Sequence, residues 1–131
     1  MEGGRRPVRS FEDLDVYQKL LSLHLEIHVL SMSFPHHELY ELGSQLRRSS
    51  NAVPAILAEA WNNKHLNVYL EGINRAIGEL NETRHHLSVA NRKGYLTPAE
   101  LEGFTNRYEE SRRMLNALGR SLERSRVQRR R

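Results

Sequence analysis

Glu82 and His85 stand three residues apart, the Glu-x-x-His spacing that sets two metal ligands on one helix face in di-iron bundles. Such a site needs a second Glu-x-x-His, and the chain has none. His24 and His28 lie one helical turn apart and could pinch a zinc ion. Structural zinc takes four ligands, however, and there is no cysteine to complete a set. These two are read as partly buried or interfacial histidines, and no metal or cofactor is expected. His36-His37 and His85-His86 read as loop and surface pairs that gain charge below about pH 6.5. Nothing supports catalysis: there is no Gly-x-Ser-x-Gly elbow, no phosphate-cradling glycine loop and no thiol nucleophile. The chain is not expected to be an enzyme.

Arginine is the other chemistry on offer. Arg47 and Arg48 are adjacent on a helix and so point about 100° apart, which keeps them from both facing a core. One is expected to pair with Glu41, Glu59 or a neighbouring protomer, the other to meet a phosphate; both serving as structural pairs is the competing reading. Arg112 and Arg113, with Tyr108 nearby, make a second cationic patch. Arg120, Arg124, Arg126, Arg129, Arg130 and Arg131 extend it. A guanidinium forks onto phosphate oxygens in bidentate fashion, so an arginine tail suits an RNA or DNA backbone better than a lysine tail. Backbone contacts of this kind confer affinity without sequence readout. Glu71–Arg75 and Glu109–Arg113 read as surface ion pairs one turn apart.

The charge is unevenly placed. Arg5, Arg6 and Arg9 against Glu2 give the first ten residues +2, and six arginines against Glu123 give residues 120–131 +5. The chain's total is only +4, so residues 11–119 carry −3. Basic ends on an acidic body point to a polyanion partner, the alternative being a solubilising tail. No apolar run reaches the ~18 residues of a membrane span. No apolar stretch comes after Arg5-Arg6 as in a secretory signal, so a cytoplasmic location is expected. With 131 residues, 38% apolar and 27% charged, the chain fits one soluble domain. The division expected is a basic segment 1–10, a helical domain 11–124 and an arginine-rich tail 125–131.

Four helices must position these groups. Ser10 with Asp13 forms a capping box for a helix from about Phe11 to Met32, with Val16, Leu20, Leu23, Ile27 and Leu30 along its seam. Tyr17, Leu21 and Leu25 widen that stripe enough to cover two neighbours. Ser33-Phe34-Pro35 ends it. The second helix is expected from about His37 to Trp61, kinked by Pro54, whose ring and missing N–H cost about 3 kcal/mol in a helix interior. Gly43, Ser49, Ser50 and Ala52 make it narrow. Asn62 or Asn63 marks its boundary with a third helix, His65 to Arg92, which Gly94 closes. Thr97-Pro98 with Glu100 opens the fourth, carrying Phe104, Tyr108, Leu115, Leu118 and Leu122. Four amphipathic helices with short connections make an all-α up-down-up-down four-helix bundle.

The order of Phe11-Glu12-Asp13-Leu14, Val16-Tyr17-Gln18-Lys19, Ser33-Phe34-Pro35, Ser44-Gln45-Leu46-Arg47-Arg48 and Val53-Pro54 is informative as a set. Ala58-Glu59, Gly78 with Leu80-Asn81-Glu82-Thr83, Gly94-Tyr95-Leu96 and Arg113-Met114-Leu115 continue the same order. From Phe11 to about Arg124 the chain resembles the four-helix-bundle proteins encoded in intervening sequences of bacterial 23S ribosomal RNA genes. It is also similar to the accessory variability proteins of diversity-generating retroelements. The resemblance implies a homo-oligomeric ring, typically a homopentamer, without enzymatic activity. The retroelement relatives further imply an accessory that accompanies a reverse transcriptase and its template RNA. The chain departs from the family at Ala55-Ile56-Leu57-Ala58-Glu59-Ala60, where members usually carry Ser-Asn-Ile-Ala-Glu-Gly, and at Glu79, where serine is common. Apolar area for a partner is therefore expected around Ile56 and Trp61.

Overall fold

The computed structural model describes residues 7–129, the Arg129 side chain excepted. Its helices are α1 (Asp15–Ser31), α2 (Leu42–Ala60), α3 (Leu66–Arg92) and α4 (Pro98–Arg129), with no strand among the described residues. Each helix packs on its successor and α4 closes back on α1. Cross-helix contacts run in opposite directions along every pair: His24 meets Ser50 and Ser31 meets Arg47, while Asn67 meets Arg126 and Arg84 meets Glu109. This is the up-down-up-down bundle.

The caps work as the sequence implies, with two displacements. Ser10 and Asp13 do form a capping box, but around a single 3₁₀ turn, Phe11–Asp13. The Asp13 carboxylate accepts the N–H groups of Arg9 and Ser10. Leu14 is then extended, so α1 starts afresh at Asp15. The second helix begins at Leu42, five residues later than expected. Pro35 is succeeded by a 3₁₀ turn, His36–Glu38, and Glu41 holds a non-helical backbone at φ −109°, ψ −101°. The break falls at Glu41, and just before it the Leu39 carbonyl accepts the Arg47 guanidinium at 2.6 Å. Nearby, the buried Glu38 carboxylate accepts from Lys93 (2.8 Å) and the Tyr95 hydroxyl (3.0 Å).

Both asparagines at the α2–α3 junction are used. Asn62 takes the left-handed conformation, φ +53°, and Asn63 Oδ1 accepts the His65 N–H at 2.9 Å. Gly94, φ +84°, ends α3. Thr97 and Glu100 exchange backbone N–H bonds at 2.9 and 3.1 Å to open α4. That helix continues past Arg124, so residues 125–129 are helical.

Leu20, Leu23 and Ile27 of α1 meet Leu46, Val53 and Leu57 of α2, Leu80 and Leu87 of α3, and Leu115 of α4 in the core. Pro54 is buried inside α2. The tightest approach is α2 on α3: a Cβ added at Gly72 would lie 2.2 Å from the Ala60 Cβ. Midway along the bundle the core turns polar. His24 Nδ1 is 2.8 Å from Ser50 Oγ, and Ser49 and Thr83 pair their hydroxyls at 2.8 Å. The Tyr108 hydroxyl and Ser111 Oγ of α4 are buried with no hydrogen-bond partner among the described residues. Burial pushes the Tyr108 phenol far above its ordinary pKa.

Candidate nucleic-acid interface

At 32 residues α4 is the longest helix, about 48 Å at 1.5 Å per residue. Its last turns run along the start of α3, where the Arg126 guanidinium donates to the Glu123 carboxylate at 2.7 and 2.8 Å and to Asn67 Oδ1 at 2.9 Å. Val8 and Glu12 border a depression shared with Ala117, Leu118 and Ser121. Antiparallel packing therefore delivers residues 8–12 and the described end of α4 to one pole. Exposed Arg9 and Lys64 belong to the same pole.

The arginines have different fates. Arg47 is committed inside the molecule, donating to Ser31 Oγ at 2.9 Å and to the Leu39 carbonyl. It ties α2 to the end of α1 and to the turn after Pro35. Arg48 pairs across the α2–α3 interface with Glu79 at 3.2 Å and with Glu82, not with Glu41 or Glu59 as expected. Glu79, the departure from the family pattern, is thus an ion-pair partner. Arg112 forks onto Glu109, 2.8 Å from its Oε2, and Arg84 reaches the same carboxylate from α3.

Glu109 therefore serves Arg112 and Arg84 instead of the expected Arg113, and the expected Glu71–Arg75 pair does not form. Arg113 is exposed and makes no direct ion pair among the described residues. The patch drawn around Tyr108 does not assemble, because that ring is fully buried. Arg120 and Arg124 are exposed, and neither makes a hydrogen bond or ion pair among the described residues. The Arg129 side chain, Arg130 and Arg131 lie outside the described residues.

Between α3 and α4, beside those two free guanidinium groups, runs a groove of about 500 Å³. Leu70, Ile73, Asn74 and Ile77 line it from α3; Leu115, Asn116, Gly119, Arg120, Glu123 and Arg124 line it from α4.

The metal geometry is not realised. Glu82 engages Arg48 and, at 3.1 Å, His86 Nε2 rather than His85. His85 instead packs edge-on to His86. The His24 and His28 rings are edge-to-face at 6.4 Å. Among the described residues no three potential ligands converge. Burial, reinforced by His28, lowers the His24 pKa; burial, then His85 and Arg48, lowers that of His86.

The expected apolar partner surface also moves. Ile56 and Trp61 are half-buried against the core. The exposed apolar stripe lies instead on α1, where Leu25, Val29 and Met32 are 56%, 71% and 55% exposed. Their four- and three-residue spacing, opposite the Leu20-Leu23-Ile27 seam, was the available signal. Leu21 and Leu25 mark its beginning.

Fold and surface together define an all-α four-helix bundle with a polar core layer, a cationic pole and no helix among the described residues long and apolar enough to cross a membrane. The chain belongs to the 23S rRNA-intervening sequence protein family, whose model matches residues 12–117. The match stops before Arg120, so the cationic end of α4 lies beyond it. A crystal structure at 1.70 Å of a protein of unknown function from the S23 ribosomal protein family of Bacteroides thetaiotaomicron shares the fold, with a TM-score of 0.70 and 24% identity. The alignment covers 79% of this chain and 97% of that one. No curated protein matches the chain.

Proposed function

We propose that this protein is a non-enzymatic accessory module that holds RNA or DNA by its phosphates at the pole that carries Arg9, Arg120 and Arg124. One observation carries the reading. Arg47, Arg48, Arg84, Arg107 and Arg112 are consumed by contacts within the fold, whereas Arg120 and Arg124, exposed and unpaired like Arg75, Arg92 and Arg113, stand one turn apart on the same helix. Free guanidinium groups one turn apart on a helix, continued by further arginines, suit a sugar-phosphate backbone. The setting that agrees with the retroelement resemblance is a cytoplasmic ribonucleoprotein with a reverse transcriptase and its template RNA.

A second reading, a structural or protein-interaction scaffold, draws on the α1 stripe. An apolar outer face on a helix already buried along its inner face suits contact with another protein. In the proposed assembly this stripe joins copies of the chain into a homo-oligomeric ring, the pentamer of the resemblance. A ring would present several cationic poles together and raise avidity for one strand.

Nucleic-acid binding across a salt series tests the first reading, comparing the intact chain with one ending at Glu123. The intact protein is expected to bind with a steep salt dependence, and truncation to flatten it, because each neutralised phosphate releases counterions. Arg47→Ala, whose guanidinium is spent internally, is expected to leave the slope unchanged. Absence of binding by the intact chain at low salt would leave the scaffold reading.

A further inference from the structure

The groove between α3 and α4 combines three features that phosphate binding alone does not require. Its floor is aliphatic, made by the buried Ile73 and Leu115 with the partly exposed Leu70 and Ile77. Asn74 and Asn116 stand on its two sides, one from each helix, and neither amide has a hydrogen-bond partner among the described residues. Arg120 and Arg124 line the same groove, one helical turn apart and unpaired. Its single carboxylate, Glu123, is held by Arg126 and so is partly neutralised toward an incoming anion.

We infer that this groove seats an unstacked base of a single-stranded nucleic acid, with Asn74 and Asn116 at the base edge and Arg120 and Arg124 on the adjoining phosphates. The inference rests on the phosphate-binding reading and adds to it a requirement for the base. A nucleobase offers an apolar face and an edge of donors and acceptors, which an aliphatic floor flanked by amides complements. The volume of about 500 Å³ falls within the ~300–1,000 Å³ of small-ligand clefts. Bases in a duplex are paired and stacked, so the groove selects single strands.

Gly119 sits in the α4 wall of the groove. A Cβ added there would lie 4.0 Å from Leu70 Cδ2, an ordinary contact, so alanine fits and only a longer side chain would fill the space. What the missing side chain leaves is the open groove wall. An acidic amphipathic helix could also use the two arginines, but it has no need of paired amides.

The test compares a base-bearing single strand with an abasic sugar-phosphate strand of equal length at fixed salt. The wild type is expected to bind the base-bearing strand about tenfold more tightly, a difference of about 1.4 kcal/mol. Gly119→Leu, which fills the groove, should reduce that affinity to the abasic level without altering the salt slope, while Gly119→Ala keeps the margin. Should Gly119→Leu lose its helical circular dichroism, the double variant Asn74→Ala/Asn116→Ala, which leaves the floor intact, is expected to shrink the margin instead. Equal affinity of the two strands for the wild type would overturn the base site while leaving phosphate binding in place. So would a margin that survives in folded Gly119→Leu, or one that the amide variant leaves at full size. Failure of both strands to bind would remove the phosphate reading and this inference with it.

Discussion

Arg47 donates to a serine hydroxyl and a backbone carbonyl, whereas Arg48 donates to carboxylates on the next helix. The sequence shows that the two cannot share a face, since helical geometry alone requires it. It could not show where each goes, because Glu79 and Glu82 lie 31 and 34 residues further along the chain and meet Arg48 only through α2–α3 packing. The histidines obey the same logic and lead to a prediction about pH. His24 and His86 have pKa values below the ordinary 6.5, chiefly because burial opposes their charged form. As pH falls, the unfolded chain takes up these protons first. Stability is therefore expected to decline as pH drops through about 6.5. Urea midpoints near pH 7.5 and near pH 5.5 should differ in that direction, and His24→Asn should narrow the difference. A midpoint flat across this range would contradict the burial of both rings.

Helix ends were the most legible elements because their chemistry is local. Thr97 with Glu100, Gly94, and Asn62 with Asn63 act within a few residues of themselves, and each closes or opens a helix as its side chain or backbone requires. The late start of α2 was hidden. It depends on Arg47 reaching back to the Leu39 carbonyl and on Glu38 finding Lys93 and Tyr95, more than fifty residues away. Equally hidden was the α2–α3 approach at Gly72, where the partner is Ala60. Gly72→Ala would force two β-carbons to 2.2 Å. Overpacking of this kind costs about 1–3 kcal/mol. The expected loss appears as a lower urea midpoint, and Ala60→Gly in the same chain should recover part of it. A double-mutant cycle with no coupling would show that the helices separate without penalty.

For the whole molecule, the consequence of antiparallel order is that Arg9 and the arginines of the described end of α4 share one pole, while α1 keeps an apolar outer stripe along the side. Charge counting anticipated basic ends, but only the topology places Arg9 at the same pole as Arg120 and Arg124. Replacing Leu25, Val29 and Met32 with serine should leave the buried seam of α1 intact. If the stripe joins copies as proposed, the sedimenting mass is expected to fall toward that of one chain without loss of helical signal. A wild type that already sediments as a single chain, or a mass the variant leaves unchanged, would overturn the stripe as a contact between copies. The polar layer bears on a different property, the alignment of the helices along their axes. Ser49 has its partner in Thr83, and Ser50 has its partner in His24. Sliding α2 by one turn would part Ser49 from Thr83 and Ser50 from His24, losing two inter-helix hydrogen bonds at about 0.5–1.5 kcal/mol each. Leucines tolerate such a slip, since one turn looks much like the next. The serines and threonine do not, and they key α1, α2 and α3 to a single setting.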